Sequence, residues 1–178
     1  MLDWASELGE VLIPQEKIRE RVKELGREIS EVYPDGAPVV VGVLRGASVF
    51  HADLIRELHF PLSIDFMAVA SYGNATRNSG EVKLIKDLET SVGGADVLLV
   101  EDIVDTGLTL SYLLGNIRNR QPRSLRVCSF LSKPARRAID VTVDFLGFEI
   151  PDRFVVGYGL DYQQRYRNLP FVATLKGI

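Results

Sequence analysis

Val97 to Leu110 reads Val-Leu-Leu-Val-Glu-Asp-Ile-Val-Asp-Thr-Gly-Leu-Thr-Leu, and the rest of the chain is organised around this stretch. Val97, Leu98, Leu99 and Val100 form the short apolar run expected of a strand buried on both faces. Two acids, Glu101 and Asp102, follow at once. Asp105 comes next, then the small polar turn Thr106-Gly107, with Thr109 beyond it. Leu110, Leu113, Leu114 and Ile117 then recur at helical spacing. The order is strand, acidic Gly-containing loop, helix. That places the loop at the carboxyl end of a strand, where open α/β sheets bind ligands. Free N–H groups at the helix start, with two threonine hydroxyls beside them, suit a phosphate. The acids suit a metal ion or sugar hydroxyls. Taken alone, Asp105 also reads as a helix N-cap. Three crowded acids repel one another unless a cation or donors stand between them. The stretch is not a Walker loop, because it lacks the Gly-Lys-Ser/Thr ending.

The pattern repeats upstream. Pro38 to Leu44 is a second buried strand, Arg45-Gly46-Ala47-Ser48 is a loop, and Val49 to Leu58 reads as a helix. Gly46 allows close backbone approach. Arg45 brings positive charge to a strand end, although it also reads as a surface arginine. Before this unit, Pro14 to Val32 is an amphipathic helix with Ile18, Val22, Leu25 and Ile29 on one face, closed by the turn Tyr33–Gly36. Leu62 to Ser71 and Glu81 to Lys86 read as two strands joined by the polar loop Tyr72 to Gly80. Downstream, Leu125 to Leu131 is another strand, carrying Cys128 as a core residue and ending at Ser132-Lys133-Pro134. Asp144 to Ile150 and Phe154 to Tyr162 read as a strand pair, and Pro170 to Leu175 as a last short strand.

Composition bounds the function. The chain has 178 residues, enough for one domain spanning 1–178, with 46% hydrophobic and 25% charged residues. Its formal net charge is −3, which leaves no basic surplus for nucleic acid. No apolar run approaches a membrane span, and the acidic start MLDWASELGE does not read as a signal. The single cysteine fits a reducing, cytoplasmic setting. His51 and His59 make no zinc-type cluster with Cys128.

The run VEDIVDTGLTL resembles the phosphoribosyl-diphosphate (PRPP) signature of type I phosphoribosyltransferases: hydrophobic residues, two acids, then D-[TS]-[GA]-x-T. Val43–Gly46 (VLRG) and Gly147–Tyr162 (GFEIPDRFVVGYGLDY) resemble the 6-oxopurine branch, the hypoxanthine-guanine phosphoribosyltransferases. The likeness runs from Ile13 to Leu175. It implies an α/β type I phosphoribosyltransferase fold, in which a mainly parallel sheet of about five strands is flanked by helices. A small hood would come mainly from the C-terminal part, about 133–178, and a mobile loop would begin at Ser71-Tyr72-Gly73.

The implied reaction moves ribose 5-phosphate from PRPP to hypoxanthine or guanine with Mg²⁺, as purine salvage in the cytoplasm by a homodimer or homotetramer. By the same likeness, Glu101, Asp102, Ile103, Val104, Asp105, Thr106, Gly107, Leu108 and Thr109 bind PRPP, and Asp105 takes the purine N7 proton. Arg45, Gly46 and Arg167 hold pyrophosphate, often with a non-proline cis peptide before the basic residue. Lys133 meets the purine O6, Phe154 stacks on the ring, and the Val155 backbone contacts its edge. Asp161, grouped with the purine-binding residues, faces a second Mg²⁺ near the pyrophosphate, so the implied metal residues are Glu101, Asp102 and Asp161. Many members have Lys where this chain has Arg45, and some have Lys at the position of Leu108. Two alternatives stay open: an enzyme of this fold acting on xanthine or another base, and a non-catalytic PRPP-sensing regulator.

Overall fold

In the computed structural model, which describes residues 4–34, 36–72 and 81–177, the apolar run Val97–Val100 is completely buried. It belongs to β5 (Asp96–Val104), inside a six-stranded sheet. The other strands are β2 (Val39–Leu44), β3 (Ser63–Tyr72), β4 (Glu81–Lys86), β6 (Ser124–Ser132) and β7 (Phe145–Glu149), in the order β4-β3-β2-β5-β6-β7. The pairings from β3 through β7 are all parallel, and β4 adds an antiparallel edge to β3. The parallel part matches the expected five strands, and the hairpin partner makes the sixth.

Strand alternation builds the two faces. Leu98 and Val100 point into one core with Ile18, Val22, Leu25 and Ile29 of α2 (Gln15–Val32) and Phe50 of α3 (Ser48–Leu54). Val97 and Leu99 point into the opposite core with Leu110, Leu113, Leu114 and Ile117 of α4 (Leu108–Arg118). Arg21 pins α2 to the sheet edge by donating to the Leu146 carbonyl at 2.7 Å.

Three sequence expectations shift. Glu101 and Asp102 do not sit in a loop. β5 continues through them, pairing Glu101 with Ser129 and Val104 with Ser132, so the turn is only Asp105-Thr106-Gly107. The helix expected to Leu58 ends its α-helical part at Leu54 and tightens into a 3₁₀ turn over Ile55–Glu57. Ser71 and Tyr72, expected to open a mobile loop, extend β3 and pair with Val82 and Glu81. The remainder of that loop, 73–80, lies outside the described residues.

A second, antiparallel sheet has the order β1-β9-β8, where β1 is Leu8–Ile13, β8 Val155–Val156 and β9 Val172–Leu175. Here the segment after the short helix α1 (Trp4–Glu7) joins the C-terminal residues. Arg153 ties this sheet together, reaching Glu10 at 2.5 Å and the Thr174 hydroxyl at 3.3 Å. Among the described residues no helix is long and apolar enough to cross a membrane.

Candidate active site

The turn between β5 and α4 is built for an anion. Gly107 adopts φ +88°, a left-handed conformation that favours glycine, and a Cβ there would stand 2.5 Å from the Ile139 carbonyl. The Thr106 carbonyl accepts N–H bonds from Ala138 and Ile139 at 2.9 and 3.0 Å, pinning the turn to the segment after β6. The N-cap of α4, Gly107, has no side chain to cap it; the Leu108 N–H makes one long contact to the Thr106 hydroxyl at 3.4 Å, and the helix dipole stands behind the turn. Asp105 is therefore not the cap.

The acids lie one step below. Glu101 is 4% exposed. Asp102 is half-buried, and its Oδ1 accepts the Ile103 N–H at 2.8 Å. Burial pushes the Asp102 carboxyl up to about 6, against the N–H bonds that favour its charge and the pull of Arg167. Burial and the neighbouring Asp102 raise Glu101 well above the ordinary carboxylate range. A Cβ at Gly46 would run into the Asp102 carboxyl, so the glycine lets the two loops meet.

The loop after β2 follows a cis Leu44–Arg45 peptide. Arg45 Nη1 donates to Gln164 Oε1 at 3.0 Å, and Arg167 Nη2 donates to the same oxygen at 3.2 Å. Arg167 also donates to the Gly159 carbonyl and pairs with Asp161 Oδ1, both at 2.7 Å. The other Asp161 oxygen accepts the Gln164 N–H at 2.8 Å. Sequence reasoning missed Gln164. Its left-handed φ of 65°, which folds it back between the arginines, left no mark in the residue pattern.

These groups converge on a cavity of about 400 Å³. Arg45, Gly46, Glu101, Asp102, Ile103, Val104, Asp105, Thr106, Gly107, Thr109, Asp161 and Arg167 line it. Leu108 does not; its side chain faces solvent. A second cavity, also about 400 Å³, is lined by Lys133, Phe154, Val155 and Leu160 with Arg136 and Asp152. Asp102, Ile103, Asp105 and Asp161 line both cavities. Lys133 is buried, and its N–H donates to the Val104 carbonyl at 3.0 Å. Phe154 is 41% exposed and meets Tyr162 edge-on, which leaves a ring face available. Arg136 and Asp152 are further lining residues that the sequence did not single out. A larger cavity of about 540 Å³ lies between α2, α3 and residues 167–170, sharing only Arg167 with this chemistry.

Among the described residues no three His, Cys, Asp or Glu side chains gather as a ready metal cage. Glu101, Asp102 and Asp161 thus form no such cluster, and both Asp161 oxygens already have partners. The acid pair nevertheless fits Mg²⁺. That ion is commonly held by one or two carboxylates together with substrate phosphates, and a buried like-charged pair is relieved by a cation.

The family model for the phosphoribosyl transferase domain matches residues 12–163. The chain is 54% identical over 170 residues to the hypoxanthine-guanine phosphoribosyltransferase of Bacillus subtilis, covering 96% of this chain and 94% of the relative. It is 50% identical to the hypoxanthine phosphoribosyltransferase of Escherichia coli K12, with 93% and 94% covered. The crystal structure of a hypoxanthine phosphoribosyltransferase from Staphylococcus aureus superposes with a TM-score of 0.93 at 44% identity, covering 99% of this chain and 97% of that one.

Proposed function

The chain belongs to the phosphoribosyltransferase family, and on that premise we propose how its residues carry out purine salvage, the transfer of ribose 5-phosphate from PRPP to hypoxanthine or guanine. The products are IMP or GMP and pyrophosphate. One observation carries the assignment of roles: Asp105 stands where the phosphate-turn cavity and the Lys133–Phe154 cavity join. A carboxylate there lies between a sugar and a base.

The 5′-phosphate binds the N–H groups at the start of α4 and the hydroxyls of Thr106 and Thr109. Glu101 and Asp102 hold the ribose hydroxyls and, with the diphosphate, Mg²⁺. When bound, the ion neutralises charge on the leaving pyrophosphate. Arg45, the Gly46 backbone and Arg167 hold the pyrophosphate, and Gln164 gives up its place between the arginines. The purine lies against Phe154. Its O6 accepts from Lys133, and its edge meets the Val155 backbone. As the bond from the sugar C1 to pyrophosphate breaks, the N9 lone pair forms the new bond and the N7 proton passes to Asp105. Leu108 adds no charge to the phosphate turn, so the N–H groups and hydroxyls carry that contact.

The same reading places the enzyme in the cytoplasm, as a homodimer or homotetramer that light scattering would count. The deciding assay incubates the protein with PRPP, Mg²⁺ and each of hypoxanthine, guanine, xanthine and adenine. Nucleotide from the first two is expected. Product from none of them, or from adenine alone, refutes the proposal.

A further inference from the structure

The base cavity holds a charged chain with no part in the steps just described. Arg136 closes the 3₁₀ turn Pro134–Arg136 that follows Lys133. Its Nε lies 2.8 Å from Asp105 Oδ1, an ion-pair contact not aligned as a hydrogen bond. Its Nη1 donates to Asp152 Oδ1 at 3.4 Å. All three residues line the cavity that takes the purine in the proposed function.

Asp105 shows two different oxygens. Oδ1 is buried and accepts no hydrogen bond, yet the side chain as a whole is 37% exposed. Its exposure therefore belongs to Oδ2 and the carbon stem. The buried oxygen is turned to Arg136, and the other is free for a ligand.

We propose that Arg136 is a positioning residue, held by Asp152, that fixes Asp105 by its buried oxygen so that the open oxygen meets the purine N7. The inference rests on the proposed function. Its logic is that of any base steered by a third group. Asp105 ends a strand on a short turn and has no cap bond to lock its rotamer. A guanidinium reaching two carboxylates at once supplies that lock, whereas a lysine ammonium is a point charge without the fork. Among the described residues the other charged groups lining the cavity are Lys133, Asp102 and Asp161. Lys133 is assigned to O6, and Asp161 is paired with Arg167. Arg136 is the lining cation left for Asp105.

The test is steady-state kinetics with hypoxanthine and PRPP on wild type, Arg136→Met, Arg136→Lys, Asp105→Asn and the Asp105→Asn/Arg136→Met double variant. Arg136→Met is expected to lower kcat about tenfold, within what small misplacement of a catalytic group produces. The PRPP KM should stay within about twofold, since the phosphate turn is untouched. Arg136→Lys should recover part of the loss. In the Asp105→Asn background Arg136→Met should change kcat by less than about twofold, because residues acting as a unit are not additive. Equal losses in both backgrounds overturn the inference. Should Arg136→Met melt early, Asp152→Asn on the cavity rim must show the same kcat-specific loss at about two- to threefold; an unchanged kcat there overturns it as well. A wild type inactive on both purines takes down the proposed function and this inference together. An active wild type matched by Arg136→Met takes down this inference alone.

Discussion

Replacing Asp102 by Asn should make the empty protein more stable while damaging its activity. The Asp102 carboxyl is pushed from 3.8 up to about 6, mainly by burial. An acid raised in the folded state binds more protons there than in the unfolded chain, so stability falls as pH rises through that window and is flat above it. The gap of about 2.2 units, at 1.36 kcal/mol each, bounds the penalty at roughly 3 kcal/mol at pH 8. Asn removes the charge, and its Oδ1 can keep the Ile103 N–H bond. It also relieves Glu101, whose carboxyl is raised partly by its neighbour. Urea unfolding in EDTA at pH 8 should therefore show Asp102→Asn about 1–3 kcal/mol more stable than wild type, or about 2–12 °C higher in Tm for a chain of this size. The advantage should vanish by pH 4, where the wild-type acid is protonated in the folded state. On the proposed roles turnover should fall, because the ribose and Mg²⁺ would lose a ligand. A variant no more stable than wild type at pH 8, or equally favoured at both pH values, would refute the argument that this carboxylate is held at an energetic cost.

Three further outcomes follow from the site. Asp105→Asn should lower kcat by about 10²–10⁴-fold with little change in PRPP affinity, the usual scale for one general base; because Asp105 does not cap α4, its Tm should barely move, and a capping-sized loss with normal kcat would restore the structural role. Lys133→Ala should weaken hypoxanthine and guanine use by roughly 1.5–3 kcal/mol, the value of a charge-assisted bond to O6, while the wild type handles adenine poorly; efficient wild-type adenine turnover contradicts the donor assignment. Excess chelator should abolish turnover and divalent cation should restore it, so full activity in chelator excludes the metal role given to Glu101 and Asp102.

The sheet was legible because its signals are local. Val97–Val100 and Val39–Val43 announce buried strands by composition, and α2 and α4 by spacing, and the structure buries those side chains on the expected faces. What escaped depends on distant partners. β1 carries Gly9 and Glu10 and shows no alternation; it is a strand because Leu8–Ile13 pairs with Val172–Leu175 at the other end of the chain. Arg136 and Asp152 look like solvated turn residues in sequence; the 3₁₀ turn after β6 brings Arg136 to Asp105, and Asp152, beyond β7, meets Arg136 there. Of the lid expected over 72–80, Tyr72 pairs in the sheet, and the other residues lie outside those described.

Glu101 and Asp102 are the informative misreading. Two adjacent acids after an apolar run read as the start of a loop, because a carboxylate inside a buried strand breaks the pattern that the strand itself sets. The strand nevertheless continues through both, and their raised carboxyls record the conflict. Among the described residues no lining cation is given over to them: Arg167 pulls on Asp102 but is paired with Asp161, and Arg45 is turned to Gln164. A fold keeps such a conflict where a ligand resolves it. On the proposed roles, a metal–diphosphate and two sugar hydroxyls would bring the charge and donors that the chain withholds. On those roles, the free energy that burial of the two acids withholds from folding would be returned when PRPP binds.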